Sequence, residues 1–185
     1  MKLEFNKNFD LTDRNSLSIA IISDTHTFLD ENIENVISQC DIAIHAGDIG
    51  CLDVIEKLKP KSGFAYGVAG NNDKPFLWDM SGWEFLKELP DSIKISLPGG
   101  TLAVEHGHVH DMHKPSHEDL RNAHEGCRAV IYGHTHHQII DESDQSCMVL
   151  NPGAAGNVRT HGGPSCLKLS ITNDKWDVEA FRFSN

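Results

Sequence analysis

No stretch of the chain approaches the roughly 18 consecutive apolar residues of a membrane span, and the opening MKLEFNKNFDLTDRNS holds no apolar signal core. A soluble, cytoplasmic protein without a membrane partner is the expectation. Cysteine is sparse: Cys40, Cys51, Cys127, Cys147 and Cys166 are widely spaced and contain no C-x-x-C pair, so neither a disulfide framework nor a thiolate zinc site is indicated. They read as buried small hydrophobes. Positive charge is short as well, with 16 Lys and Arg against 27 Asp and Glu, a net charge of -11. That balance opposes binding of long nucleic acid or anionic lipid, so any phosphate chemistry must recruit its cations locally. A glycine-rich dinucleotide fingerprint is also missing, which argues against a nicotinamide cofactor.

What is present is an ordinary globular composition over 185 residues, 39% apolar and 23% charged. The length suggests one domain over residues 1–185, with residues 1–16 as a polar N-terminal extension. Histidine is the outlier at 12 copies, most of them between His106 and His137.

Leu17 to Ser23 is a short β-branched run, and Asp30 to Cys40 then carries Ile33, Val36 and Ile37 at helical spacing. The unit recurs through a strand at Ile42 to Ala46, a helix at Leu52 to Lys59 and a strand at Phe64 to Ala69, which reads as a parallel βαβαβ beginning. Further on, a hairpin over Ile93 to Leu97 and Thr101 to Glu105 precedes a helix from Ser116 to Glu125, capped by Ser116. Short strands are then expected at Ala129 to Tyr132, Gln138 to Ile140, Cys147 to Leu150, Cys166 to Thr172 and Trp176 to Phe183.

The polar residues cluster at strand ends. Asp24, Asp48, Asn71, His106, His134 and Asn151 each fall within about two residues of the carboxyl end of an expected strand, where open α/β sheets bind ligands. A D-x-H motif, which occurs at Asp24/His26 and again at Asp111/His113, is worth nothing alone. G-N-x-D at Gly70 to Asp73 and G-H-x-H at Gly133 to His136 are rarer, with roughly 0.08 and 0.06 chance occurrences in a chain of this composition.

Carboxylate, imidazole and amide oxygens without thiolate suit Mn²⁺, Fe²⁺, Zn²⁺ or Ni²⁺, whereas several imidazoles argue against Ca²⁺ or Mg²⁺. The donors outnumber what one ion accepts, so two divalent ions fit better, with a shared carboxylate and room for water and a substrate oxygen.

The order Asp24-x-His26, Gly47-Asp48, Gly70-Asn71-Asn72-Asp73, His106-Gly107, Gly133-His134-x-His136 resembles the calcineurin-like metallophosphoesterase superfamily. Asn151-Pro152-Gly153, Arg159 and Gly163-Pro164-Ser165 look like its small single-domain phosphodiesterases from bacteria and archaea. The resemblance implies an α/β fold, a four-layer αββα sandwich of two mixed sheets flanked by helices. It further implies Asp24, His26 and His136 on one metal, Asn71, His106 and His134 on the other, and Asp48 as the bridge. A manganese pair is the first expectation. Two divalent ions, two carboxylates and a bridging hydroxide leave a charge of roughly +1, and that hydroxide would attack a phosphoester in line. The substrate is then a small phosphoester.

One departure stands at Asn72, where many relatives carry a histidine that protonates or steadies the substrate. Asn72 is either a substrate contact or a turn residue, and His108 is the substitute for that histidine. Arg159 is a candidate phosphate contact. His45 reads as a core or supporting histidine. His110 reads as a supporting or surface group, while His113, His117, His124, His137 and His161 lack motif support and are expected to be solvated. Pro75 to Leu89 is either core or dimer packing, compatible with a homo-oligomer, or a wall that stacks an aromatic leaving group. The alternative function is a non-catalytic scaffold, as in the retromer subunit of this fold, but scaffolds lose metal-binding histidines and His26, His106, His134 and His136 remain.

Overall fold

A computed structural model describes residues 2–4 and 8–184 of the chain. In chain order its elements are β1 (Lys2–Glu4), β2 (Asn8–Asp10), β3 (Ser16–Ile22), α1 (Glu31–Gln39), β4 (Ile42–His45), α2 (Leu52–Lys57) and β5 (Phe64–Gly67). Next come two short 3-10 turns (Pro75–Leu77 and Met80–Gly82), then α3 (Trp83–Glu88), β6 (Ser92–Leu97), β7 (Gly100–Glu105) and α4 (His117–Ala123). The last strands are β8 (Ala129–Ile131), β9 (Gln138–Asp141), β10 (Met148–Pro152), β11 (Ser165–Thr172) and β12 (Trp176–Arg182).

These strands form two mixed sheets, ordered β1-β5-β4-β3-β11-β12 and β2-β6-β7-β8-β10-β9. Alternation along β3 shows why they stack. Leu17, Ile19 and Ile21 point between the sheets and meet Val104, Ile131 and Leu150 of the other one, while Ala20 and Ile22 point outward. The outward face is covered by Ile33 and Ile37 of α1 and by Val54 and Ile55 of α2, with Leu86 of α3. On the opposite side, Leu120 of α4 packs on Ala103, Val130 and Val149. The result is the four-layer α/β sandwich with helices outside. Each fully buried Ile or Leu contributes about 1.5–3 kcal/mol against the entropy of ordering the chain.

The helices begin where their caps stand. Asp30 accepts the Asn32 N–H at 2.9 Å, and Ser116 accepts the Asp119 N–H at 3.1 Å. α2 ends at Lys57 and α4 at Ala123, each two residues before the expected end, ahead of Pro60 and Gly126.

The N-terminal stretch differs from the expected polar extension. β1 pairs parallel with β5 and β2 pairs parallel with β6, so each sheet gains an edge strand, while residues 1 and 5–7 of that stretch lie outside the described residues. Such short edge strands carry too few apolar residues to show a period. In β2 only Phe9 is buried, its ring packing edge-on against Tyr66 with centroids 4.3 Å apart. Among the described residues, no helix is long and apolar enough to cross a membrane. The cysteines are free; Cys40, Cys127, Cys147 and Cys166 are buried as expected and Cys51 is half-buried.

Candidate metal centre

β3, β4 and β5 run parallel, as do β7 and β8, so their carboxyl ends deliver loops to one edge of the sandwich. Asp24 follows β3, Asp48 follows β4, Asn71 follows β5, His106 follows β7 and His134 follows β8. Tight turns achieve the convergence at a conformational cost. Asp24, His26, Asp48, His134 and His136 all sit at left-handed φ, between 44° and 67°, which costs non-glycine residues about 1 kcal/mol or more each. Gly70 and Gly133 make the close approaches possible, since a Cβ on Gly70 would lie 2.1 Å from Asp48 Oδ1 and one on Gly133 2.0 Å from Ser23 Oγ.

The two sheets meet through this edge. The His134 N–H donates to Asp24 Oδ2 at 3.0 Å from one sheet to the other, and within the second sheet Asn151 Nδ2 donates to Gly133 O at 2.7 Å. His106, His134 and His136 each fix one ring nitrogen outward: Nδ1 of His106 donates to Ala46 O (2.7 Å), Nε2 of His134 to Met112 O (2.9 Å) and Nδ1 of His136 to Val158 O (2.8 Å). A backbone carbonyl only accepts, so each of these nitrogens carries a proton and the other ring nitrogen is turned inward, where it can ligate a metal in place of a proton.

Inside, these ring nitrogens converge on carboxylate and amide oxygens. Asn71 Oδ1 lies 2.9 Å from His134 Nδ1 and 3.2 Å from His106 Nε2. His136 Nε2 lies 3.2 Å from His26 Nε2 and 3.3 Å from Asp24 Oδ1. Asp48 Oδ2 lies 3.4 Å from His106 Nε2 and 3.7 Å from His26 Nε2, between these two groups. Asp24, His26 and His136 form one set of mutually close donor atoms, and Asp24, Asp48 and His106 form another. Asp24 is therefore common to both sets. Its Oδ1 is buried without a hydrogen-bond partner among the described residues.

The electrostatics ask for cations. Burial alone would lower the His106 pKa, but its hydrogen bond to Asp48 and the Asp24 and Asp48 charges outweigh it and raise the imidazole to about 9. Burial would raise Asp48, yet His106 and the two Asn72 hydrogen bonds hold its carboxyl well below the usual range. Ring nitrogens and an amide oxygen gathered around two buried carboxylates fit divalent ions, and the oxygen and imidazole donor set fits transition metals.

Asn72 grips the central carboxylate, its N–H to Asp48 Oδ1 at 2.8 Å and its amide Nδ2 to Oδ2 at 2.7 Å. It thus reaches the site through Asp48. His108 stands beside the site, its ring 5.5 Å from His106 and 6.2 Å from His134, with Nδ1 buried and unpartnered among the described residues. Arg159 Nη2 lies 3.0 Å from His136 Nε2. His45 is buried behind the site, donating to Thr25 Oγ1 (2.9 Å) and accepting the Gly47 N–H (3.2 Å); burial drives its pKa to about 3 and keeps it neutral.

Residues 17–174 match the calcineurin-like phosphoesterase superfamily domain, which covers well over half of the chain. The chain belongs to the calcineurin-like phosphoesterase superfamily. As a phosphoesterase-family chain it is 29% identical over 155 residues to a phosphodiesterase of Methanocaldococcus jannaschii, covering 74% of this chain and 83% of that one. A probable metallophosphoesterase of Methanothermobacter thermautotrophicus is 26% identical over 169 residues, 89% of this chain and 91% of that one. In fold the superfamily member is similar to Vacuolar Protein Sorting 29 of Cryptosporidium parvum, with a TM-score of 0.69 at 19% identity over 93% of this chain and 100% of that one. It is also similar to Yfce, a phosphoesterase from E. coli, with a TM-score of 0.60 at 17% identity over 90% of this chain and 99% of that one. Family and named relatives support a hydrolase of phosphate esters, and the residues on this edge include candidate metal ligands.

Sequence reasoning passed over Asp73 as a mere motif end. Its buried carboxylate accepts N–H groups from Ile49 (3.0 Å), Gly50 (3.0 Å) and Gly70 (2.9 Å) and the Trp78 indole N–H (3.1 Å), tying the Asp48 loop to the Asn71 loop. An aspartate directly after Gly-Asn-Asn was the available signal. Two histidines expected to be solvated are not: His124 is buried against Glu105 Oε2 at 2.6 Å, and His117 bridges Asp141 and the Tyr132 hydroxyl. Pro75 to Leu89 divides, with Trp78 buried on Asp73 and stacked on Phe85, while Phe76 and Met80 are exposed.

Proposed function

We propose that the chain is a phosphodiesterase that works with two divalent ions, manganese first among Mn²⁺, Fe²⁺, Zn²⁺ and Ni²⁺. The observation that carries this reading is the convergence of the His26, His106, His134 and His136 ring nitrogens on Asn71 Oδ1 and the Asp24 and Asp48 carboxylates, with Asp24 Oδ1 buried and unpartnered among the described residues. Asp24, His26 and His136 would hold one ion, Asn71, His106 and His134 the other, and Asp48 Oδ2 would serve both. When bound, the pair would bring water to a pKa near about 7 and share the charge that develops on phosphoryl oxygens.

The chain's own groups then have separate tasks. Ala46, Met112 and Val158 carbonyls hold the three imidazoles in register. Asn72 orients Asp48 with two hydrogen bonds and so replaces the expected histidine in position but not in chemistry. His108, whose ring lies 5.5 Å from that of His106 and 6.2 Å from that of His134, would serve as proton donor to the leaving oxygen, and the Arg159 guanidinium would match a phosphate oxygen pair.

The likeness to Vacuolar Protein Sorting 29 supports a second reading, a scaffold without catalysis. The intact donor set favours the enzyme. After chelator treatment and return of Mn²⁺, hydrolysis of bis(p-nitrophenyl) phosphate should reappear, and Asp48→Ala should abolish it. Failure of metal to restore hydrolysis, or full activity in Asp48→Ala, would leave the scaffold.

A further inference from the structure

The turn Gly133-His134-Thr135-His136 does more than present imidazoles. Its two histidines face the metal centre, while Thr135 and His137 alternate with them and line a neighbouring cleft of about 560 Å³. The outward ring nitrogens hold both walls of that cleft, because His134 binds Met112 O and His136 binds Val158 O. One wall carries His113 and Lys114, and the other carries Arg159 and His161. Ile139 is the apolar member.

Among the described residues no carboxylate lines this cleft, in a chain whose net charge is -11. Asp111, on the same turn as His113 and Lys114, spends Oδ1 on their two backbone N–H groups at 2.6 and 2.8 Å. The second wall is built under strain: Arg159 and His161 hold φ of 50° and 47°, and Arg182 Nη1 pins the loop by donating to Thr160 O (3.2 Å) and His161 O (2.8 Å). Left-handed backbone at non-glycine residues persists where surroundings enforce it, and it gathers at ligand clamps. The His137 and His161 rings stack with centroids 3.8 Å apart, which orders two imidazoles on one side. Arg159 joins cleft and centre, since its Nη2 reaches 3.0 Å from His136 Nε2.

We propose that this cleft binds a second phosphate of the substrate, so that the preferred substrates are phosphodiesters carrying a further phosphate group, such as a phosphorylated nucleotide ester. The inference rests on the phosphoesterase reading and names its substrate class. Nitrogen donors converging from two walls and a floor suit a tetrahedral dianion better than a planar carboxylate.

Two measurements test it. In chelator-treated protein, inorganic phosphate should shift the side-chain NMR signals of His137 and His161, and a Lys114→Met/His161→Asn variant should lose the His137 shift. In metal-loaded protein, the p-nitrophenyl ester of thymidine 5′-phosphate should be compared with the same ester bearing a 3′-phosphate. The phosphorylated ester should show a kcat/KM at least about tenfold higher, through KM, and the double variant should bring the ratio within about twofold of one. Equal kcat/KM for the two esters in the unmodified protein, or imidazole signals that do not move, would overturn the proposal. Hydrolysis of neither ester would instead overturn the phosphoesterase reading and leave the imidazole signals to decide the cleft.

Discussion

The backbone N–H of His134 donates to Asp24 Oδ2 at 3.0 Å, across 110 positions of chain. This one bond joins the end of β3 in the first sheet to the end of β8 in the second, and it turns Asp24 Oδ1 toward the centre, where it has no hydrogen-bond partner among the described residues. A buried carboxylate oxygen without a partner is tolerated when a cation completes it.

Asp24→Asn separates those two roles. The amide oxygen can still accept from His134, while the uncompensated charge disappears. Retained metal, measured by elemental analysis after gel filtration, should fall about 100-fold or more, and the melting temperature in chelator should not drop. A large loss of stability in chelator would show that the carboxylate is needed by the fold itself.

Gly70→Ala should damage the centre by crowding alone. The new methyl group would lie 2.1 Å from Asp48 Oδ1 and 2.2 Å from the Asp48 backbone nitrogen, so Asp48 has to move. Urea denaturation should register a loss of about 1–3 kcal/mol or more, accompanied by weakened metal retention. Stability and metal content equal to the parent would contradict the close approach.

Asp73→Ala tests the clamp between the Asp48 and Asn71 loops. It strands the N–H groups of Ile49, Gly50 and Gly70 and the Trp78 indole. Buried donors left unpaired predict a loss of about 3–5 kcal/mol in chemical denaturation, with the Trp78 fluorescence shifted toward that of exposed indole.

Asp141 supplies a pH test away from the metal centre. Hydrogen bonds from the Ser143 side chain and backbone, then from His117 and Arg121, outweigh desolvation and hold its carboxyl well below the usual range. A depressed folded pKa gives stability that is present above the unfolded value of about 3.9 and is lost as pH falls through the folded value. Asp141→Asn should therefore be less stable than the parent at pH 7, and the gap in denaturation midpoint should narrow steadily below about pH 4. A gap that stays constant down to pH 2 would show that the charge contributes nothing.

Most strands and helices were legible because each long element carries its own period. Ile33 and Ile37 mark α1, and the alternation of Leu17, Ile19 and Ile21 marks the inner face of β3. β1 and β2 were not legible, since three-residue edge strands are defined by the neighbours they pair with. His124 beside Glu105 was equally hidden: a single histidine near the end of α4 has no local mark of its partner 19 residues away.

Composition, strand periodicity and the spaced Asp, Asn and His motifs suffice, within the sequence alone, for a layered α/β chain with metal-binding donors at strand ends. Those signals are local, being the consequence of side-chain chemistry and backbone period over a few residues. Which atom of each donor faces inward, that Asn72 serves Asp48, and that Lys114 comes to face His161 across a cleft were decided only by the tertiary structure. Ring orientations are set by carbonyls such as Met112 O and Val158 O, 22 residues from the histidines they hold, and no spacing rule connects the two.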